Sequence, residues 1–341
     1  MNKKLVALAL LAFGVAFADG PLGTVRYKLE FSDPGAGDRK VNNAVTRAYL
    51  GYAASLNDNV SAKVVADVAA TDEDGTGKKR YAYLLKNAFG SWSNVSKDIT
   101  LKLGLFGPAY QTQAFNNWGY NFIVDPVVIG RSNYKTAGSQ VGVFLPSADL
   151  GAEVALKING ALTTTVGVLR GDGYKNVTGY SPASDCVGDM CNTAVELQFD
   201  VKTGIFLASF GSTLRPHLND EGDDAVEASP NLHVGVKTDR LRAGYEVAAT
   251  VDRGGKDDDD NQIFSTGLYG VFAVVPGLEA IARAEYFCTS ADDSSIGRGF
   301  VGVGFLPAKK FKIVLHYDLE GRFMTNEAYW HTAGLASEFS F

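Results

Sequence analysis

The sequence predicts an all-β fold, a transmembrane antiparallel β-barrel of sixteen strands whose third long loop folds inward. Three observations lead to this prediction. Apolar and polar residues alternate with a period of two along most of the chain, long polar loops alternate with short turns, and the chain ends in an alternating strand with a terminal Phe341. A strand of this kind has one face for lipid and one for water.

Residues 328–341 form the clearest of these strands. Phe341 and Phe339 share one face, whereas Ser340 and Glu338 share the other. An exposed terminal Phe gains little in water, but a strand that closes a barrel in lipid can bury the ring at the membrane boundary. The ending resembles the assembly signal of bacterial outer-membrane β-barrels. An ordinary terminal edge strand is the alternative, and the ending alone does not decide between them.

The start of the chain predicts a secretory signal. A positively charged beginning precedes an apolar run over residues 5–17, and Ala16 and Ala18 are the small residues that a signal peptidase requires. The apolar run is shorter than the roughly 20 residues that a spanning helix needs. We therefore expect residues 1–18 to be removed and residues 19–341 to form one outer-membrane β-barrel domain.

The composition agrees with this fold. Hydrophobic residues make up 46% of the chain and charged residues 21%. A barrel shares this average with soluble proteins because its strands alternate between lipid and water. The net charge of -6 argues against a nucleic-acid surface, which would be basic. No nucleic-acid partner is expected.

The alternation defines strands and connections. Val60, Val64 and Val68, for example, alternate with Lys63 and Asp67. Short turns are expected at residues 57–59, 97–98, 202–204, 238–239, 276–277 and 307–309, and long loops at residues 32–43, 71–79, 171–191, 217–229 and 252–261. Outer-membrane barrels place short turns on the periplasmic side and long loops outside, whereas a soluble sandwich would mix connection lengths. The phase of residues 81–92 is ambiguous because aromatic residues fall on both faces.

The strand count depends on residues 138–170. Three strands in this segment give seventeen in all, an odd number foreign to bacterial single-chain barrels. The apolar residues of the segment 152–169 share even parity, so one long strand can follow a strand at residues 140–145, which gives sixteen. Asn159-Gly160 is nevertheless a good hairpin signal, so fourteen and eighteen strands remain open.

The longest connection of the first half, residues 107–135, follows the fifth predicted strand. It is rich in aromatic and amide side chains, as expected of a loop that folds into a wide lumen and narrows it. The predicted pore-constriction residues are Tyr110, Gln113, Asn117, Trp118, Tyr120, Asp125, Arg131 and Lys135. The alternative places this loop over the barrel mouth or against a neighbouring subunit.

Charged residues on the polar faces of the strands are expected to line the lumen. The predicted lumen-wall residues are Arg26, Lys28, Arg47, Lys63, Lys102, Glu196, Arg242, Glu246, Arg283 and Glu285. Basic and acidic side chains nearly balance, which predicts no strong preference for anions or cations. Basic residues concentrate in the first five strands, however, and a transverse field across the lumen would orient polar solutes. Ion pairs that merely solvate the lumen are the alternative.

Two of the three cysteines, Cys186 and Cys191, flank a short segment of a long loop. The oxidising setting of a secreted protein favours a disulfide between them. Two free thiols or a metal site are the alternatives. Cys288 shares parity with the apolar residues of its strand and is predicted to be an unpaired wall residue.

No catalytic or metal-binding pattern stands out. The acidic run at residues 257–260 lacks the Gly and terminal Glu of an EF-hand loop, so a solvated outer loop is expected. This outer loop would bind divalent cations only weakly, among lipopolysaccharide phosphates, and a calcium site formed with Asp252 is the alternative. The four His residues are scattered and fall in no recognisable nucleophile or metal motif. We expect no enzyme activity, no cofactor and no metal.

Two short motifs carry a more specific resemblance. Residues 46–52 (TRAYLGY) and residues 101–108 (LKLGLFGP), which lead into the long loop, together with Arg131 shortly before a strand, look like the outer-membrane porin superfamily. The first half most resembles the phosphate-selective porin O and P group, and a general diffusion porin is the other candidate. The phosphate-selective members carry an Arg ladder and a Lys cluster, whereas this loop has only Arg131 and Lys135, with Asp125 nearby.

The resemblance implies a homotrimeric sixteen-stranded barrel in the outer membrane of a Gram-negative bacterium. The function expected from it is passive diffusion of small hydrophilic solutes and ions through a water-filled lumen. Outer-membrane lipids, lipopolysaccharide and further copies of the chain are the expected partners. The alternative is a surface-structural or adhesive barrel whose channel is plugged or incidental and whose acidic loops face outward.

Overall fold

The computed structural model describes residues 20–33, 39–71, 80–127, 145–171, 173, 193–218, 224–253, 262–289, 294–322 and 329–341. The predicted signal at residues 1–18, the constriction residues Arg131 and Lys135, and the cysteines Cys186 and Cys191 lie outside the described residues. No helix within the described ranges is long and apolar enough to cross a membrane.

Sixteen antiparallel strands close into a barrel. Each strand pairs with its neighbours in sequence, and the first strand pairs with the last. The strands are β1 (Pro21–Asp33), β2 (Lys40–Ser55), β3 (Val60–Thr71), β4 (Arg80–Ser93), β5 (Ile99–Phe106), β6 (Asp149–Lys157), β7 (Leu162–Leu169), β8 (Ala194–Thr203), β9 (Phe206–Leu218), β10 (Asp224–Lys237), β11 (Leu241–Arg253), β12 (Gln262–Val275), β13 (Leu278–Thr289), β14 (Ser294–Ala308), β15 (Phe311–Arg322) and β16 (Trp330–Ser340). The predicted fold class and strand number are confirmed.

The two faces of the barrel follow the alternation of the sequence. On β12, Leu268 is 60% exposed on the outside, while the adjacent Tyr269 is buried on the inside. On β15, Leu315 is 61% exposed, while His316 and Asp318 are buried. An apolar exterior with a polar interior suits a wall between lipid and water. Closure also pairs the backbone groups of every strand, which lipid could not satisfy.

Short turns connect the strands at the end of the barrel where the chain begins and ends. They cover residues 56–59, 94–98, 158–161, 204–205, 238–240, 276–277 and 309–310. Asn57 stabilises the first turn because its Oδ1 accepts the backbone N–H groups of Asn59 and Val60, both at 2.9 Å. Gly277 has a φ of 83°, a conformation that favours glycine.

The single long strand predicted over residues 152–169 is wrong, because β6 and β7 form a hairpin. Asn159 starts the turn, and its Oδ1 accepts the N–H groups of Ala161 and Leu162 at 2.8 and 2.9 Å. Partners in this register, such as Val154 and Val166, share parity. A tight hairpin therefore keeps the apolar residues on one face, as a straight strand would, and parity cannot distinguish the two.

The predicted strand at residues 140–145 is not part of the barrel where it is described. Leu145, its last residue, lies in a bend just before β6, and the other residues of that range lie outside the described ranges. The total of sixteen holds because β6 and β7 count as two strands.

A β-bulge explains the ambiguous phase of β4. Val65 pairs with Asn87 and Ala66 pairs with Leu85, so Lys86 is an extra residue between them. Tyr83 before the bulge and Trp92 after it are both exposed on the outside despite their opposite parity. A bulge re-aims the side chain that it inserts, and Lys86 faces the interior.

The seam between β1 and β16 ends at the last residue. Gly23 N–H donates to the Phe341 carbonyl at 3.2 Å, and Phe341 N–H donates to the Gly23 carbonyl at 2.9 Å. The Phe341 ring covers Gly23 so closely that a Cβ there would lie 2.0 Å from Cζ. The ring also meets Phe339, with a centroid distance of 5.9 Å. Aromatic packing thus closes the strand pair that completes the barrel.

Candidate functional site

The connection between β5 and β6 enters the barrel. Its described part begins with a 3-10 turn (Ala109–Gln111) and a short helix α1 (Thr112–Trp118). The helix ends at Gly119, whose φ of 72° is a common helix stop. Helix α1 contacts β9, β10, β11 and β12, and the loop bonds to inward-facing side chains of the wall. We call residues 107–127 the inward loop.

Two buried glutamates of the wall hold the inward loop by its backbone. Glu196 Oε1, on β8, accepts the N–H of Tyr110 at 2.8 Å. Glu246 Oε2, on β11, accepts the N–H of Val127 at 2.8 Å. The two carboxylates therefore fix both ends of the loop.

Trp118 anchors the middle of the inward loop. Its side chain is fully buried, and its Nε1 donates to the Val124 carbonyl at 2.8 Å. Its ring meets Tyr269 at a centroid distance of 5.1 Å, and the Arg283 guanidinium lies 5.0 Å from its centroid. Asn117 adds a hydrogen bond from Nδ2 to the Tyr269 hydroxyl at 2.9 Å. Aromatic packing and a cation–π contact hold this part against the wall.

Arg283 is the central charge of this contact. Its side chain is 1% exposed and lies between two carboxylates, 2.9 Å from Glu246 Oε2 and 2.7 Å from Glu285 Oε1. Buried ions are tolerated when they are paired and hydrogen-bonded. These three predicted lumen-wall residues lie on the inner side of the barrel, and the inward loop contacts Arg283 and Glu246.

Tyr120 is the second aromatic anchor. Its hydroxyl donates to Glu279, which also accepts from Arg242 Nη2 at 2.9 Å. Lys312 lies 5.1 Å from the ring centroid and donates from Nζ to the Gly119 carbonyl at 2.7 Å. Burial, followed by the hydrogen bond to Glu279, raises the pKa of the Tyr120 phenol, so the hydroxyl remains a donor. Arg242, another predicted wall residue, thus supports the loop.

Glycines on the inner wall make room for the loop. A Cβ on Gly235 would lie 2.5 Å from Asn117 Nδ2 and 2.8 Å from the Ala243 carbonyl. A Cβ on Gly304 would lie 2.6 Å from the Tyr120 hydroxyl. All three distances are too short for a larger residue unless the neighbouring atoms move. The wall therefore leaves space where the two anchoring segments dock.

The structure divides the predicted constriction residues between two surfaces. Tyr110, Asn117, Trp118 and Tyr120 are buried against the wall. Gln113 is half-buried, and its side chain lies near Asp200 on β8. Asp125 borders open space together with Phe115, Asn121, Phe122 and Ile123, which the sequence analysis did not single out. Spacing in a loop does not indicate which side chains pack and which face water.

A cavity of about 580 Å³ separates the inward loop from β1, β2, β3 and β4. It continues to the rim at the turn end of the barrel, where Lys310 and Phe341 lie. The charged side chains that line it in the described part of the chain are Arg26, Lys28, Arg47, Lys63, Lys86, Lys310 and Asp125. Six of these are basic and one is acidic, so the cavity has a basic wall.

Acidic residues beside the cavity neutralise part of the basic wall. Arg26 pairs with Glu338 at 2.9 Å, and Lys28 pairs with Glu30 at 3.4 Å. Arg47 Nη1 pairs with the fully buried Asp67 at 2.9 Å, and Lys102, on β5, pairs with Glu153 at 3.0 Å. Lys28 also donates to the Ile123 carbonyl of the loop at 3.3 Å. Ion pairs and an uneven distribution of charge are therefore both present.

Lys86 and Lys310 are cavity-lining bases that the sequence analysis missed. Lys86 reaches the cavity through the bulge in β4, which a strict alternation cannot reveal. Lys310 lies in the turn between β14 and β15, where side-chain direction does not follow strand parity. One feature of the sequence could have indicated the position of Lys86, namely that it is a charged residue within a largely apolar strand of ambiguous phase.

No family model and no curated protein matches the chain. Solved structures do match it. The outer membrane channel DcaP of Acinetobacter baumannii superposes with a TM-score of 0.66 at 14% identity, over 95% of this chain and 97% of that one. The anion-selective porin from Comamonas acidovorans gives 0.67 at 14% identity, over 96% and 100%. The trimer form of Vibrio cholerae OmpT gives 0.60 at 11% identity, over 96% and 100%.

The chain has the porin fold. At these identities the likeness shows the fold alone, which is the fold that the predicted resemblance to the outer-membrane porin superfamily implies. The narrower likeness to the phosphate-selective O and P group gains no support from the comparisons and stays a prediction. In the porin fold described above, the inward loop and the basic wall enclose the cavity from opposite sides.

Proposed function

We propose that the chain is an outer-membrane porin through which small hydrophilic solutes and ions diffuse passively. The observation that carries this proposal is the open cavity between the inward loop and strands β1 to β4, inside a closed sixteen-stranded barrel. Charged and polar side chains line the cavity, while the outer surface is apolar. Such a pore performs no chemical step. Its selectivity depends on the width of the channel and on the groups that line it.

The inward loop is the proposed constriction. Its face toward the cavity consists of the half-buried Phe115, Asn121 and Asp125, opposite the basic wall, with the buried Phe122 and Ile123 beside them. The buried residues Tyr110, Asn117, Trp118 and Tyr120 are the packed base that holds this face in place. Gln113 is also part of this packed base. Arg131 and Lys135 remain proposed constriction residues.

The proposed location is the outer membrane, after removal of residues 1–18. The short turns and both ends of the mature chain would face the periplasm, and the long loops would face lipopolysaccharide. We also propose a homotrimer. The trimer form of the Vibrio cholerae protein, which shares the fold, supports this assembly.

Single-channel recording in planar lipid bilayers tests the function. The refolded protein should give stepwise openings, and a cysteine placed in the cavity should make them sensitive to a charged thiol reagent. Asn121 lines the cavity. In the Asn121→Cys variant, a methanethiosulfonate carrying a trimethylammonium group should therefore reduce the conductance of the pore. Native cysteines are first replaced by Ser in both the variant and its control.

Asn94→Cys is the matched control, because Asn94 lies in an exposed turn and outside the cavity lining. This variant should be labelled without loss of conductance. A barrel that is folded, as judged by its mobility on unheated gels, but gives no openings would refute the porin proposal. That result would favour the surface-structural alternative.

A further inference from the structure

Tyr49, on β2, is the centre of a cluster of cations on the basic wall. Its hydroxyl oxygen accepts hydrogen bonds from Arg47 Nη1 at 3.2 Å and from Lys86 Nζ at 3.1 Å. Lys86 Nζ lies 4.6 Å from the centroid of the ring, and the Arg26 guanidinium lies 5.3 Å from it. Three cations thus surround one neutral side chain that borders the cavity.

The Tyr49 hydroxyl retains its own proton as a donor. A phenolic oxygen accepts through its lone pairs and donates one O–H. Arg47 and Lys86 occupy its accepting side, and no acceptor for its hydrogen occurs among the residues that the structure describes. Arg and Lys are donors only. The surface around Tyr49 therefore offers hydrogen-bond donors to a solute in the cavity.

Lys63, on β3, extends this donor surface. It lines the same cavity, and within the described ranges it forms neither an ion pair nor a hydrogen bond through its side chain. The bulge in β4 brings Lys86 to the same wall. Bulges often re-aim a side chain next to a functional site. Two lysines from adjacent strands thus project toward one space beside Tyr49.

Two acidic groups of the described part of the chain, Asp67 and Glu338, are placed behind the cations near Tyr49. Asp67 pairs with Arg47 and is fully buried, and Glu338 pairs with Arg26. Neither carboxylate lines the cavity, and Asp125 on the inward loop is the acidic side chain among its described lining residues. A cleft lined mainly by one sign of charge concentrates ions of the opposite sign. A solute in the cavity meets a positive surface.

We infer that Tyr49, Lys63 and Lys86 form a subsite for small oxyanions, meaning carboxylates and phosphates, and that the pore prefers anions to cations. This inference rests on the proposed function, since it names the solute class of the same cavity. Oxyanions are rich in acceptors and carry the charge that a donor-only, positive surface recognises. Arg26 and Arg47 support the subsite by orienting the phenol.

Reversal potentials across a KCl gradient test the preference for anions. The wild-type pore should be more permeable to chloride than to potassium by on the order of tenfold. The double variant Lys63→Gln/Lys86→Gln should bring the ratio close to one. Lys97→Gln removes one positive charge from an exposed turn outside the cavity and should leave the ratio unchanged. Equal permeabilities in the wild-type pore would overturn the inference.

Block of the chloride current by inorganic phosphate and by acetate tests the subsite itself. Tyr49→Phe keeps the ring and removes the hydroxyl, so the concentration needed for half-block should rise several-fold. An effect with phosphate alone would assign phosphates to the subsite, and an effect with acetate alone would assign carboxylates. Unchanged half-block with both probes in a folded Tyr49→Phe variant would overturn the subsite. Absence of openings in the wild-type protein would refute the porin proposal, and this inference with it.

Discussion

Glu246 Oε2 lies 2.8 Å from the backbone nitrogen of Val127, and the same oxygen lies 2.9 Å from Arg283 Nη2. One carboxylate oxygen therefore joins the inward loop to a buried ion pair of the wall. Removal of this carboxylate would leave a loop N–H and a guanidinium short of an acceptor. The position of the loop and the charge balance of the wall thus depend on each other.

Glu246→Ala should strongly destabilise the barrel. Breaking a buried ion pair costs about 3 kcal/mol or more of the free energy of unfolding, because the remaining charge stays buried. Glu227→Ala is the matched control, since its pair with Arg215 is partly exposed, at 19% and 35%, and such pairs contribute about 1 kcal/mol or less. Urea unfolding in lipid vesicles measures both. Equal losses in the two variants would contradict the assigned role of Glu246.

Trp118→Ala should loosen the inward loop without opening the barrel. The side chain is fully buried, and truncation of a buried Trp typically costs about 3–5 kcal/mol. We expect increased open-channel noise and a less stable current level. Trp92→Ala also removes one tryptophan, but from the outer face, where the side chain is 48% exposed. Its current should stay as quiet as that of the wild-type pore, and equally noisy currents would speak against Trp118 as an anchor.

Gly23→Val should impair closure of the barrel. A Cβ at this position would lie 2.0 Å from Phe341 Cζ, so the terminal ring must leave the seam. Gly20→Val is the control, because its Cβ would have no atom within 4 Å. The folded fraction on unheated gels, from outer-membrane extracts, should fall for Gly23→Val and stay unchanged for Gly20→Val. Full folding of both variants would show that the ring contact is dispensable.

Cys186 and Cys191 should form a disulfide in the mature protein. Alkylation of the denatured chain without reductant should modify Cys288, which is a free thiol on β13, and leave the other two unmodified. Reduction before alkylation should expose all three. Peptide mapping by mass spectrometry distinguishes the cases, and modification of all three cysteines without reductant would exclude the disulfide.

The alternation of residues was sufficient to predict the barrel. Strands such as β15 have one face on the outside of the barrel and one on the inside, so Leu315 and His316 differ in chemistry as they differ in exposure. The pattern fails where geometry departs from simple alternation. The β6–β7 hairpin preserves parity across its turn, and the bulge at Lys86 reverses it.

The site was less predictable than the fold. The charged residues Glu196, Glu246 and Arg283 are buried in the structure, and their contacts with the loop join residues far apart in sequence. The loop segment around Trp118 was recognisable by its aromatic and amide content. Which of its side chains pack and which face the cavity depends on the rotation of α1 against the wall. Seven helical residues with only two aromatic groups, Phe115 and Trp118, do not specify that rotation.

The cavity side and the supporting side of the barrel are formed by different arcs of strands. The basic wall comes mainly from β1 to β4, whereas the anchors of the inward loop come mainly from β8 to β15. Substitutions such as Lys63→Glu would change the charge seen by a passing molecule without touching the supports of the loop. The cavity lining could therefore be varied, for example to build a nanopore sensor, while the contacts that hold the inward loop stay the same.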